Sequence, residues 1–118
     1  MIRCQSQYEC EERFEMRGGK GTVRIEHLFS PGNELKSRIR LCARLTLDPG
    51  VSIGFHRHEN EEEIFHIISG KAEVDDNGTV RSVSAGDSIL TGGGAGHSIE
   101  NTGDSPLEIL AVISQFPG

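Results

Sequence analysis

The chain has few aromatic residues and little positive charge. Its 118 residues include no tryptophan, one tyrosine and five phenylalanines. Twelve lysines and arginines stand against 18 acidic residues, which gives a formal net charge of -6. Because a nucleic-acid site needs a basic surface to neutralise phosphates, this balance argues against a nucleic-acid partner.

Long apolar runs and a cysteine framework are also missing. No apolar stretch approaches the roughly 20 residues that cross a bilayer, and residues 1–6 lack the apolar segment of a secretion signal. Cys4, Cys10 and Cys42 are odd in number and have no CxxC spacing. Such a set is more typical of reduced thiols than of disulfides or a zinc knuckle. We therefore expect a cytoplasmic protein with no membrane partner.

Glycine, by contrast, is abundant, with 15 residues. It clusters with proline, asparagine and aspartate at residues 30–33, 48–50 and 76–78, which predicts tight turns. Asn77-Gly78 favours a type I′ hairpin, because both residues tolerate positive φ. No window of a dozen residues shows capped helical periodicity. Frequent turns without helices indicate short strands.

The segment 39–47 has the clearest strand pattern. Five apolar residues alternate there with polar or small ones, which places them on one face of a strand: Ile39, Leu41, Ala43, Leu45 and Leu47. Further strands are predicted at 22–29, 51–58, 63–69, 71–75, 79–83, 87–90, 97–101 and 107–114. We interpret residues 1–21 as an N-terminal arm or irregular lead-in, and residues 22–118 as one all-β domain. So many short strands are typical of a sandwich or closed barrel.

Four residues form a candidate metal site. His56 and His58 are two apart, so a strand directs both imidazoles to one side. Glu63 follows a short acidic turn, and His97 follows the glycine-rich run 92–96, which can bend sharply. Three imidazoles and a carboxylate suit one divalent ion of Mn, Fe, Co, Ni, Cu or Zn, with positions left open for substrate.

At these residues the sequence resembles the cupin family. The first cupin motif is a glycine, five residues, His-x-His, three or four residues, a glutamate, six residues and a glycine. Its fixed places are filled here by Gly50, His56, His58, Glu63 and Gly70.

The second cupin motif is matched almost as fully. Gly86, Gly94, His97 and Asn101 stand at its spacing, while Gly92 replaces its proline, a difference that removes no ligand. The resemblance is to small single-domain bacterial cupins likened to oxalate decarboxylase. It implies a double-stranded β-helix, or jelly-roll, that holds one ion, most often Mn or Fe.

The choice between two neighbouring glutamates rests on this motif. Alternation alone does not distinguish Glu62 from Glu63 as the ligand, because apolar residues accompany both faces of the strand. The spacing to Gly70 selects Glu63.

If the side chain of Glu63 is directed inward, the alternate side chains of the same strand are directed outward. His66 then lies outside with Ile64 and Ile68. An exposed apolar face needs a cover, and small cupins are commonly dimers, so we expect a homodimer. His27 receives no role from the sequence.

Several basic residues have uncertain roles. Arg44 shares a face with Arg38 and Arg40, and a solvated outer face is favoured over a carboxylate-binding role. Another possibility is that Arg17 and Lys20 fold over the barrel mouth and meet an anion.

The leading functional hypothesis is a metal-dependent enzyme acting on a small carboxylate or carbonyl compound, resembling an oxalate decarboxylase or a dioxygenase. The candidates for a proton donor are Glu100 and the acidic turn 59–62. The alternative interpretation of the glutamates in this turn is that they are simply solvated. The alternatives are a non-catalytic binding or sensing module, and a metal-assisted isomerase or lyase. One fold serves many chemistries, so the fold does not choose among them.

Overall fold

The computed structural model describes residues 1–118, and nearly all of its regular structure is β. Two single-turn 3-10 helices span Gln5–Gln7 and Met16–Gly18. The ten strands are β1 Glu9–Phe14, β2 Thr22–His27, β3 Ile39–Leu47, β4 Ser52–Arg57, β5 Glu61–Ser69, β6 Lys71–Asp76, β7 Thr79–Ser84, β8 Ser88–Gly92, β9 Gly96–Asn101 and β10 Leu107–Gln115. The predicted all-β class is confirmed. No helix has the length and apolar character needed to cross a membrane.

The strands form two antiparallel sheets. One has six strands in the order β1-β2-β3-β10-β5-β8, and the other has four in the order β4-β9-β6-β7. The chain passes between the sheets after β3, β4, β5, β7, β8 and β9, and this alternation produces the expected jelly-roll. Apolar side chains from both sheets fill the space between them.

The alternation in β3 explains how the core is built. Ala43, Leu45 and Leu47 are fully buried, as predicted. Leu45 lies opposite Ile25 on β2 and Ile109 on β10, so three strands contribute neighbouring side chains to the same layer. Burying an aliphatic side chain of this size contributes about 1.5–3 kcal/mol, which makes the register of these strands costly to change.

The predicted hairpin at Asn77-Gly78 is also present. Both residues have positive φ, 49° and 101°, as a type I′ turn requires. The amide of Gly78 donates to Oδ1 of Asp75 at 2.7 Å. The turn fixes the register of β6 against β7.

The interpretation of residues 1–21 as an irregular lead-in needs correction. Residues 9–14 form β1, which pairs with β2 from Glu9 opposite His27 to Phe14 opposite Thr22. A polar strand at a sheet edge has no apolar alternation to reveal it, because almost none of its side chains are buried. The division of the chain at residue 21 and the cytoplasmic location stay predictions.

Candidate metal centre

The structure brings the four predicted ligands together in one cluster. His56 on β4 lies opposite His97 on β9, and His58 follows directly after β4. Glu63 reaches the same point from β5. One candidate ligand atom from each residue lies within 4.8 Å of the others. His58, Glu63 and His97 are each at most 3% exposed. Three of the four metal-ligating groups are therefore buried, and His56 is half-buried.

The separations between the ligand atoms fit a metal ion. Oε1 of Glu63 lies 2.9 Å from Nε2 of His58 and 3.0 Å from Nε2 of His97. The two Nε2 atoms are 3.2 Å apart. Bonds of about 2.1 Å to a common ion place neighbouring ligand atoms about 3 Å apart in octahedral geometry. These three atoms meet that requirement.

Hydrogen bonds fix which ring nitrogen of His56 and of His58 faces the cluster. Nδ1 of His56 donates to the carbonyl oxygen of Gly54 at 2.7 Å, and Nδ1 of His58 donates to Glu61 at 2.5 Å. A neutral imidazole that donates through Nδ1 keeps its lone pair on Nε2, the atom a metal needs. Nδ1 of His97 is buried without a partner. The His97 ring is instead held by stacking on Phe65, with centroids 4.7 Å apart and planes inclined by 10°.

Glu61 is a supporting residue that the sequence did not reveal. It was interpreted as part of a solvated turn, but it is only 8% exposed. Arg40 binds its carboxylate with two hydrogen bonds, at 2.6 and 2.7 Å. Arg40, and then His58, lower the pKa of Glu61 to about 2. The carboxylate therefore stays charged and orients the imidazole of His58, as outer-sphere carboxylates do for metal-binding histidines.

The ionisation of His56 and Glu63 suits metal binding, whereas the hydrogen bond with Glu63 raises the pKa of His58, so that a metal ion competes with a proton there. Burial lowers the pKa of His56 and so favours the neutral ring. Burial alone would raise the pKa of Glu63, but its close contacts with the imidazoles of His58 and His97 outweigh burial, and the pKa is lowered. Neutral imidazole and ionised carboxylate are the forms that bind a cation.

A cavity of about 160 Å³ opens onto these residues. It is small beside the roughly 300–1,000 Å³ of pockets for drug-sized ligands. Half of its 14 lining residues are hydrophobic. Its lining comprises Met16, Ile25, Leu41, Leu45, Ile53, Phe65 and Ile113, the ligands His56, His58 and Glu63, and the basic residues Arg13, Arg17, His27 and Arg40. Such a space admits a small ligand with negative charge.

Comparison with known proteins identifies the family. The family model described as "Cupin domain" matches residues 43–113. This chain is a cupin. An oxalate-binding protein of Thermotoga maritima is 45% identical over 113 residues, which cover 96% of this chain and 93% of that protein. A crystal structure described as a predicted oxalate decarboxylase from Thermotoga maritima superposes with a TM-score of 0.93 at 44% identity, covering 98% of this chain and all of that one.

A third relative is larger than this cupin. The oxalate decarboxylase of Bacillus subtilis is 31% identical over 108 residues, which cover 87% of this chain but 27% of that enzyme. The cupin described here therefore spans about a quarter of that enzyme.

Other predicted residues occupy different places in the cupin barrel. Glu100 and Lys20 do not line the cavity. The carboxylate of Glu100 lies 3.6 Å from Nζ of Lys20. As a proton-donor candidate Glu100 is excluded by this position. Arg44 is only 23% exposed and pairs with the buried Glu26 at 2.9 Å, so it is less solvated than expected. Arg17 does line the cavity, and so does His27, to which the sequence assigned no role.

Proposed function

We propose that this cupin is a metal-dependent enzyme that acts on a small carboxylate such as oxalate. The observation that carries the proposal is the convergence of His56, His58, Glu63 and His97, all of which except His97 line a small cavity. The similarity to an oxalate-binding protein and to an oxalate decarboxylase supports the substrate class. The ion proposed for this set is Mn or Fe, because imidazole and carboxylate together suit both.

The residues around the site provide binding and a dry environment. A divalent ion in this position supplies Lewis acidity, which polarises a bound carboxylate or carbonyl oxygen. Phe65 and Ile53 exclude water from the cavity wall, and electrostatic attraction is stronger where little water screens it. The small volume restricts the ligand to a few non-hydrogen atoms.

A decarboxylase also has to deliver a proton to the carbon that loses CO₂. Among the lining residues that are not ligands, His27 has the side chain type that most readily exchanges protons at neutral pH. Its Nε2 lies 2.9 Å from Oε2 of Glu11, which orients the ring. We assign His27 the role of proton donor in this proposal.

A second candidate function is a binding module that holds a small carboxylate without turnover. The lining contains no carboxyl group besides Glu63, which the ion would occupy. The name of the relative with 45% identity mentions oxalate binding only.

One experiment separates the two functions. Protein purified without chelators is analysed for metals, loaded with Mn or Fe, and mixed with oxalate and related carboxylates, with and without O₂. Product formation that disappears in His97→Ala, with the fold retained, supports the enzyme. Calorimetric binding without product supports the binding module. Absence of metal after exposure to Mn, Fe, Ni and Zn in turn contradicts both.

We also propose that the cupin is a homodimer. Ile64, Ile68 and Leu90 on the outer face of the six-stranded sheet are 44–64% exposed. Covering them with a second copy removes apolar surface from water.

A further inference from the structure

One basic residue of the cavity lining makes no ion pair. Of the four that line it, Arg40 is paired with Glu61, while Arg13 and His27 are both paired with Glu11. Arg17 also lines the cavity but takes part in none of the ion pairs or side-chain hydrogen bonds of the chain. A guanidinium is the side chain best shaped for bidentate binding of a carboxylate.

The backbone holds Arg17 in an unusual conformation. Its φ and ψ are 55° and 29°, in the left-handed region that costs energy for a residue with a side chain. Glu15, two residues earlier, is also left-handed, with φ of 52°. Non-glycine residues remain in this region only where the surrounding structure fixes them.

Close packing against β4 supplies that constraint. The carbonyl oxygen of Arg17 lies 2.1 Å from the position a Cβ would take on Gly54, and a Cβ on Gly19 would meet the carbonyl oxygen of Ser52 at 2.1 Å. The amide of Ser52 donates to the Lys20 carbonyl, and the amide of Lys20 donates to Oγ of Ser52, both at 2.9 Å. The segment 15–20 is therefore fixed beside the strand that carries His56.

The charges of the cavity indicate what Arg17 binds. A divalent ion together with the carboxylate of Glu63 carries a net charge of about +1, which matches one carboxylate. Arg17 adds a second positive charge at the same cavity. We infer that Arg17 binds a second carboxylate of the ligand, so that the cupin prefers short dicarboxylates over monocarboxylates. This inference rests on the proposed function, since the first carboxylate is bound at the metal centre.

The test compares ligands in one Mn-loaded preparation by calorimetry. The probes are oxalate, malonate and succinate as dicarboxylates and acetate as a monocarboxylate. Arg17→Ala should weaken the tightest-binding dicarboxylate about 10- to 100-fold, the loss expected for charge-assisted hydrogen bonds, and leave acetate and Mn affinity unchanged. Arg17→Lys should recover part of the loss. Arg24→Ala, on the exposed side of β2, is the matched control and should behave as wild type.

Arg17→Gly separates ligand binding from folding. Glycine accepts a left-handed φ, so this variant should unfold at the same or a higher temperature than wild type and still lose the dicarboxylate preference. An equal loss for acetate and dicarboxylates, or no loss, overturns the inference while leaving the proposed function intact. Failure of Mn-loaded wild type to bind any of the four probes contradicts the proposed function itself.

Discussion

His58 has a defined partner on each ring nitrogen, and this makes it the most constrained residue of the site. Nε2 lies toward Glu63, and Nδ1 lies toward Glu61, which Arg40 holds in turn. Orientation of a metal-binding imidazole by an outer carboxylate raises its basicity and fixes its tautomer. Metal affinity should therefore depend on residues that never touch the ion.

Glu61→Gln tests this dependence. The amide keeps the size of the side chain but loses the charge that binds Arg40 and orients His58, so we expect metal affinity to fall about 10- to 100-fold. Competition with a chelator of known affinity measures it. Glu62→Gln is the control, because Glu62 is the neighbouring glutamate and makes no side-chain hydrogen bond. Equal metal affinity in the two variants would show that Glu61 does not support metal binding.

The ligands and the outer support differ in how far the sequence predicts them. The spacing of His56, His58, Glu63 and His97 follows a motif along the chain. The role of Glu61 depends on Arg40, 21 residues away on another strand, and no local pattern reports that contact. Glu100 is three residues from His97 on β9, so the alternation of side chains along the strand already places it on the opposite face.

The segment between β1 and β2 packs closely against Gly54 on β4. A Cβ on Gly54 would lie 2.1 Å from the carbonyl oxygen of Arg17, far inside contact distance. Gly54→Ala should therefore destabilise the protein by about 1–3 kcal/mol, the usual cost of overpacking, and displace this segment. Chemical denaturation measures the stability. Gly103→Ala is the control, since its added Cβ meets only contacts of 3.5 Å or more. Equal stability of the two variants would contradict close packing at Gly54.

A second element-scale feature joins the N-terminus to the connection between β2 and β3. Arg3 binds the carboxylate of Glu34 and donates to the Leu28 carbonyl at 2.9 Å. Arg3, and then the amide of Ser30, lower the pKa of Glu34 from 4.5 to about 2. A carboxyl group with a lowered pKa in the folded state stabilises the protein above its unfolded pKa and loses that effect as the pH falls.

The stability difference between wild type and Glu34→Gln should follow this rule. We expect wild type to be the more stable above about pH 4.5, with the difference declining toward zero between pH 4.5 and about 2. Urea denaturation at several pH values measures the difference, and the other carboxyl groups cancel because both proteins share them. The pair is partly exposed, so high salt should reduce the effect. A difference that does not change over this range would show that the ion pair contributes nothing.

Strand prediction succeeded where burial imposed alternation and failed where it did not. The bounds of β3 match the prediction, because Ala43, Leu45 and Leu47 are buried in the core and Leu41 packs against it. β1 has the sequence Glu-Cys-Glu-Glu-Arg-Phe and is almost wholly exposed. Its pairing comes from backbone hydrogen bonds to β2 at the sheet edge, which leave no signature in side-chain polarity.

At the scale of the whole molecule, the outer face of the six-stranded sheet is unusually apolar. Ile64 on β5 lies directly opposite Leu90 on β8, and the two side chains are 45% and 64% exposed. Ile68 extends the same face at 44% exposure, and His66 between them bonds Oγ of Ser88 at 2.8 Å. The inward face of β5 holds Glu63, Phe65 and Ile67, so its outward face is set by the same alternation that builds the metal site.

A homodimer that buries this face should dissociate when Ile68 is changed to Glu. A charge buried without a partner costs about 3 kcal/mol or more, which raises the dimer dissociation constant at least about 100-fold. Light scattering over a dilution series measures the association. Val80→Glu is the matched control, because Val80 is 59% exposed on the other sheet and its charge would stay in water. Wild-type protein that is monomeric throughout the series would contradict the dimer, and an undisturbed dimer in Ile68→Glu would place the interface on a different face. The metal site is formed within one chain, so metal content should be equal in monomer and dimer.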